Sequence, residues 1–64
     1  MNKNDFFFFN AINEDGDPFP AVIKKEEIVL IIRMEDGKAG IFINNHCMYS
    51  ADTYENILIQ LFNQ

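Results

Sequence analysis

A chain of 64 residues whose only cysteine is Cys47, with no C-x-x-C pair, has neither a disulfide nor a thiolate zinc site to hold it together. Everything rests on one small apolar core. A domain of this size buries only about 60% of the surface its unfolded chain exposes, so self-association or a partner is the remaining source of stability. The length permits a single domain spanning residues 1–64 and no second one.

Hydrophobic residues make up 48% of the chain and charged ones 23%, a balance that folds rather than stays disordered. The longest uninterrupted aliphatic run, Ile28 to Ile32, is far short of the roughly 20 residues needed to cross a bilayer, and the phenylalanine run Phe6–Phe9 is too short for a signal-peptide core. The expectation is a cytoplasmic protein with no membrane partner. Ten acidic residues against five basic ones give a net charge of −5, and the largest basic cluster is the pair Lys24-Lys25. That balance disfavours direct nucleic-acid binding, which calls for a basic stripe to neutralise phosphates. It suits either simple solubility or docking on a basic surface.

The segment 6–12 is aromatic-rich and reads as a strand, with phenylalanines pointing to both faces. Residues 13–20 gather Asn, Asp, Gly and Pro and read as a loop, followed by a short strand at Ala21-Val22-Ile23 and a charged break from Lys24 to Glu27. Ile28-Val29-Leu30-Ile31-Ile32 is a β-branched run, and Asp36-Gly37 is a hairpin signal. With Asp36 and Gly37 as the two central turn residues, Met34 faces Ala39, Ile32 faces Ile41 and Leu30 faces Ile43. A second turn at Asn44-Asn45, using left-handed asparagine, returns His46 to Tyr49 along the same strand, with Met48 opposite Ile41, His46 opposite Ile43, and Cys47 and Tyr49 joining Phe42 on the second face.

Beyond Ser50 the period changes. Tyr54, Ile57, Leu58, Leu61 and Phe62 fall at i, i+3, i+4, i+7 and i+8, one apolar helical stripe, with Asp52 placed to cap it and Glu55 three residues on. The expected fold is α+β: a small antiparallel β-meander sheet of four or five strands with one C-terminal helix on one face. Leu30, Ile32, Ile41, Ile43, Ile57, Leu58 and Leu61 are the expected core.

Catalytic motifs are missing from the sequence: no phosphate-cradling glycine loop, nucleophile elbow or H-E-x-x-H occurs. His46 and Cys47 are adjacent on a strand, so their side chains diverge and cannot share a proton. Asn13, Asp15 and Asp17 have the alternation of a calcium loop, but the twelfth position is Lys24 where a carboxylate is needed. No enzyme, metal or cofactor is expected. Seven phenylalanines and two tyrosines are a heavy load for so small a core, and aromatics anchor interfaces. The candidate partner-binding residues are Glu14, Asp15, Asp17, Glu35 and Asp36 for the acidic contact and Phe42 and Tyr49 for the aromatic one. A homodimer is expected to use the phenylalanine strand and the face carrying Phe42 and Tyr49.

From about Ala21 to Leu61, the short strand, the Asp36-Gly37 hairpin and Thr53-Tyr54-Glu55-Asn56-Ile57 opening a helix resemble the short flagellar proteins of the FlbD or SwrD type. That resemblance implies a flagellar accessory role. The stretch from Leu30-Ile31-Ile32-Arg33 through Asp36-Gly37 to the helix is also similar to part of some small acidic anti-CRISPR proteins that occupy nucleic-acid sites on Cas nucleases. It implies a phage-encoded anti-defence inhibitor and transfers no functional residue. The leading expectation is a small non-catalytic acidic protein that inhibits or modulates a larger protein partner. The alternative is a homo-oligomer that sequesters a nucleotide, for which Lys24, Lys25 and Arg33 would hold the phosphates.

Overall fold

The computed structural model describes residues 5–63; residues 1–4, which precede the expected phenylalanine strand, and residue 64 lie outside it. Five strands, β1 (Phe6–Ile12), β2 (Pro18–Lys24), β3 (Ile28–Arg33), β4 (Lys38–Ile43) and β5 (His46–Thr53), precede one helix, α1 (Tyr54–Phe62). All paired strands are antiparallel, in the order β2-β1-β5-β4-β3. The expected α+β class, with five strands and a C-terminal helix, is the observed one.

The order contains a geometric constraint. β2 and β3 are the two edges of the sheet, yet they are consecutive in the chain and joined only by a 3₁₀ turn at Lys25–Glu27. In a flat five-stranded sheet the edges lie about 19 Å apart, four spacings of about 4.8 Å. Four Cα steps span at most about 14 Å. The sheet must therefore coil until its edges approach, and its inner face becomes concave. Phe7, Phe9 and Ala11 of β1, Ile23 of β2 and Ala39 and Ile41 of β4 point into that hollow and are buried, with Ile57 of α1 closing it. Phe7 and Phe9 stack, with ring centroids 5.2 Å apart and planes inclined by 12°. Two of the four consecutive phenylalanines thus supply the largest part of the core, while Phe8, on the convex face, is 57% exposed.

The β3–β4 hairpin departs from the expected register by one residue. Met34 N–H donates to the Lys38 carbonyl at 2.8 Å and Gly37 N–H to the Met34 carbonyl at 2.9 Å, with Gly37 at φ +87°. The connection is a three-residue loop, Glu35-Asp36-Gly37, with glycine in the left-handed position of a bulge, rather than a two-residue turn. Ile31 therefore faces Ile41, Ile32 faces Gly40 and Arg33 faces Ala39. A slip of one residue sends every side chain of β3 to the opposite face. Leu30, expected in the core, is 51% exposed, and Ile31 packs against the core in its place. A further bulge between Ile28 and Leu30 returns Ile28 to the inner face opposite Ile43. Of the other expected core residues, Ile41 and Ile57 are fully buried, Ile43 and Leu61 pack against the core from its margin, and Ile32 and Leu58 are half-buried.

Three smaller expectations are corrected. β2 begins at Pro18, not Ala21, because an edge strand tolerates Pro18 and Pro20 where an inner one would lose ladder hydrogen bonds. Asn44 and Asn45 keep negative φ; the turn is closed instead by His46 N–H donating to the Asn44 carbonyl, two residues back. The strand pairing it was expected to produce, Met48 with Ile41 and His46 with Ile43, is present. The helix cap is Thr53, whose hydroxyl accepts from Asn56 N–H at 3.2 Å, while Asp52 remains in β5.

The register gives a direct test. Ile41→Ala removes a fully buried side chain and is expected to cost about 2–5 kcal/mol, comparable with the whole stability of a small domain. Leu30→Ala, one strand away, should cost less than about 1 kcal/mol because the residue already meets water. Urea unfolding of the two variants side by side checks this, and equal losses would restore the two-residue turn.

Candidate functional site

The two glycine turns are the same structure made twice. Asn13-Glu14-Asp15-Gly16-Asp17 joins β1 to β2 and Met34-Glu35-Asp36-Gly37-Lys38 joins β3 to β4, each with Glu-Asp-Gly as its three loop residues. In the first loop Asn13 N–H donates to the Asp17 carbonyl at 2.9 Å and Gly16 N–H to the Asn13 carbonyl at 3.0 Å, with Gly16 at φ +85°. This is the bonding pattern of the second loop, residue for residue. Positive φ at the last loop position is what a side chain beyond glycine resists.

Side chains brace both tips. Asn13 Oδ1 accepts from the N–H groups of Asp15 and Asp17, each at 2.9 Å, so the residue that suggested a calcium ligand holds its own loop. Asp36 Oδ1 accepts from Lys38 N–H at 3.0 Å, and the Gly37 carbonyl accepts from Tyr54 N–H at 2.8 Å, which ties the second tip to the start of α1. No group of three or more potential metal ligands occurs among the described residues.

The coiling of the sheet brings the tips to one end of the molecule. Ile12 and Asn13, where the first loop begins, and Met34, Glu35 and Asp36 of the second line a single hollow of about 560 Å³, shared with Lys38, Tyr49 and Ser50. Tyr49 gives it an aromatic wall, half-exposed, opposite Gly40 on β4. Gly40 leaves room for Met34: a Cβ there would meet the Met34 sulfur at 3.0 Å. Ser50, buried beneath, accepts from Ala39 N–H at 3.0 Å and donates to the Asp52 carbonyl at 2.6 Å. It spans the irregularity between Lys38 and Gly40, where direct β4–β5 pairing is broken. Ser50 is also opposite Ala11, the one aligned pair between β1 and β5.

Of the sequence-derived candidates, Glu35, Asp36 and Tyr49 line this hollow, and Glu14, Asp15 and Asp17 stand in the loop that opens on it. All five acidic residues are exposed. Phe42 is elsewhere. It lies further along the convex face, in a shallower depression of about 400 Å³ with Val29, His46 and Cys47, whose lining includes no carboxylate. Lys24 and Lys25 precede β3 and Arg33 ends it, 3.4 Å from Glu55, so the three basic candidates do not converge. The hollow-lining roles of Met34, Ser50 and Ile12 had no sequence signal; the two Glu-Asp-Gly runs are a signal by which the equivalent tips could have been found.

No protein-family model matches the chain, nor does any curated protein or solved structure. Ser50→Ala tests the platform under the hollow: it leaves the buried Ala39 N–H without its acceptor and should cost about 1–3 kcal/mol. Thermal melting reads the loss, and Ser50→Thr, which keeps the hydroxyl, should recover part of it; an alanine variant as stable as the parent would show that Ser50 does not hold the strands together.

Proposed function

We propose that this chain is a small, non-catalytic, cytoplasmic binding protein, self-associated as a dimer, that inhibits or modulates a larger protein by docking its acidic end on a basic site. The observation that carries the reading is a hollow walled by Ile12, Met34 and Tyr49 that is lined by Glu35 and Asp36 of one Glu-Asp-Gly tip and by Asn13 at the root of the other, with Lys38 beside them. Carboxylates around an apolar recess match a basic surface that presents one large side chain, with the charges steering the encounter and the recess holding the anchor. The tips are braced by their own hydrogen bonds, so little order has to be imposed on binding. The resemblance to small acidic anti-CRISPR inhibitors points to the same mode, occupation of a site that normally holds nucleic acid.

The test neutralises the tips without unfolding them. Glu14→Gln, Asp15→Asn, Asp17→Asn, Glu35→Gln and Asp36→Asn together preserve the turns, since asparagine serves the same backbone positions. The immobilised parent chain should retain a protein from host lysate in a manner weakened by salt, and the neutralised variant should retain it about tenfold less well. Undiminished capture by the neutralised chain would defeat the acidic contact, and retention of nucleotides in equilibrium dialysis would favour the sequestering alternative.

A further inference from the structure

The two edges of the sheet are treated differently. β2 carries Pro18 and Pro20, which remove donors from the exposed edge, and ends in Lys24. These are the usual protections of an edge strand. β3 has neither a proline nor a lysine: from Ile28 to Ile32 it is entirely aliphatic, with Val29 71% and Leu30 51% exposed. Its bulge at Val29, a device that elsewhere discourages pairing, here pushes out an apolar group.

Beside that edge runs a groove of about 660 Å³ between β3 and α1, with Ile28 and Ile31 on one side and Tyr54, Leu58, Leu61 and Phe62 on the other. Phe62, at the end of the helix, is 74% exposed. The apolar side of the helix is thus only partly used, and the unused part adjoins the unpaired edge.

The charges along this segment are complementary to themselves when the direction of the chain is reversed. Counting outward from Leu30, Glu27 lies three residues before it and Arg33 three after, and Lys25 lies five before and Glu35 five after. Two copies of β3 laid antiparallel about its middle therefore bring the Glu27 that leads into one strand to the Arg33 that ends the other, at both ends of the contact; Lys25, in the 3₁₀ turn, and Glu35, in the hairpin loop, lie outside the strand pairing. The segment 24–33 is also not acidic, with Lys24, Lys25 and Arg33 against Glu26 and Glu27, in a chain of net charge −5. It is where two such molecules can meet without the repulsion of their acidic tips.

We infer that the β3 edge is the self-association surface, and that its occupant is the β3 edge of a second copy, paired antiparallel about a two-fold axis at Leu30. The two coiled sheets join edge to edge, both helices lie on the same side, and each copy walls the outer margin of the other's groove. The same patch serves both copies, which is the isologous geometry of a closed dimer. The phenylalanine strand, by contrast, is an inner strand with a partner on each side. This inference rests on the reading of the chain as a self-associating protein, and it uses a surface separate from the acidic tips.

Sedimentation equilibrium of the full chain should give twice the 7.5 kDa of one copy at micromolar concentration. Leu30→Lys, at a site already half in water, should leave a folded monomer by circular dichroism. Arg33→Glu and Glu27→Arg should each weaken the dimer, by about tenfold in dissociation constant for close opposed charges, and the two together should restore it. Arg33 also meets Glu55 within its own chain, with both side chains 62% exposed. Losing that contact changes the melt of the monomer, and the double exchange would not repair it. A single-copy mass for the parent at every concentration, a dimer indifferent to Leu30→Lys, or no recovery in the double exchange would each overturn the inference. The Leu30→Lys monomer keeps both acidic tips, so salt-sensitive capture by it separates a failure here from a failure of the acidic-contact reading.

Discussion

Three residues, Lys25 to Glu27, set the shape of this protein. They join strands that occupy opposite edges of a five-stranded sheet, and a link so short cannot cross a flat sheet of that width. Coiling follows, and with it a concave interior that a single nine-residue helix can close. A chain with a single cysteine, and so no internal disulfide, gains a core in this way from side chains of one sheet facing one another. Phe7 and Phe9 stack there, Ile41 joins them from β4, and Ile57 completes the enclosure.

The same coiling assembles the candidate site. Loops that are 21 positions apart in the chain, one centred on Asp15 and one on Asp36, arrive at a common hollow because β1 and β4 both lie next to β5. Ser50 stands at the junction. Its hydroxyl replaces a missing ladder bond to Ala39 while its backbone is aligned with Ala11, so one buried polar side chain steadies the place where the two halves of the sheet meet. A buried hydroxyl with both a donor and an acceptor satisfied adds order without leaving an orphaned group.

The molecule divides its surface between charge and apolar contact. Five carboxylates gather at the hairpin tips, whereas the exposed aliphatic residues of β3 and the end of α1 lie along an edge whose local charges balance. Such a division lets one protein carry two kinds of contact. An apolar, self-complementary edge suits a lasting association between copies, and an exposed acidic rim suits a steered, salt-sensitive encounter with a different partner.

Much was legible in the residues alone. The helix stripe from Tyr54 to Phe62 and the β-rich class follow from periodicity, and the β4–β5 pairing from the place of the turn at Asn44-Asn45 though not from its geometry, all local properties of the chain. The face on which β3 buries its side chains was not legible. Asp36-Gly37 is compatible with a two-residue or a three-residue loop, and in a strand that is aliphatic at every position from Ile28 to Ile32 the pattern cannot tell one face from the other. The three-residue loop goes with the fit of Met34 over Gly40 inside the hairpin and with the tie between Gly37 and Tyr54, a contact between segments distant in sequence. The burial of alternate phenylalanines was likewise decided by which side of β1 the coiled sheet encloses. Local spacing determined which elements form and where they turn; only the closing of the sheet on itself determined which faces see water, because that depends on distances between edges that no single segment encodes.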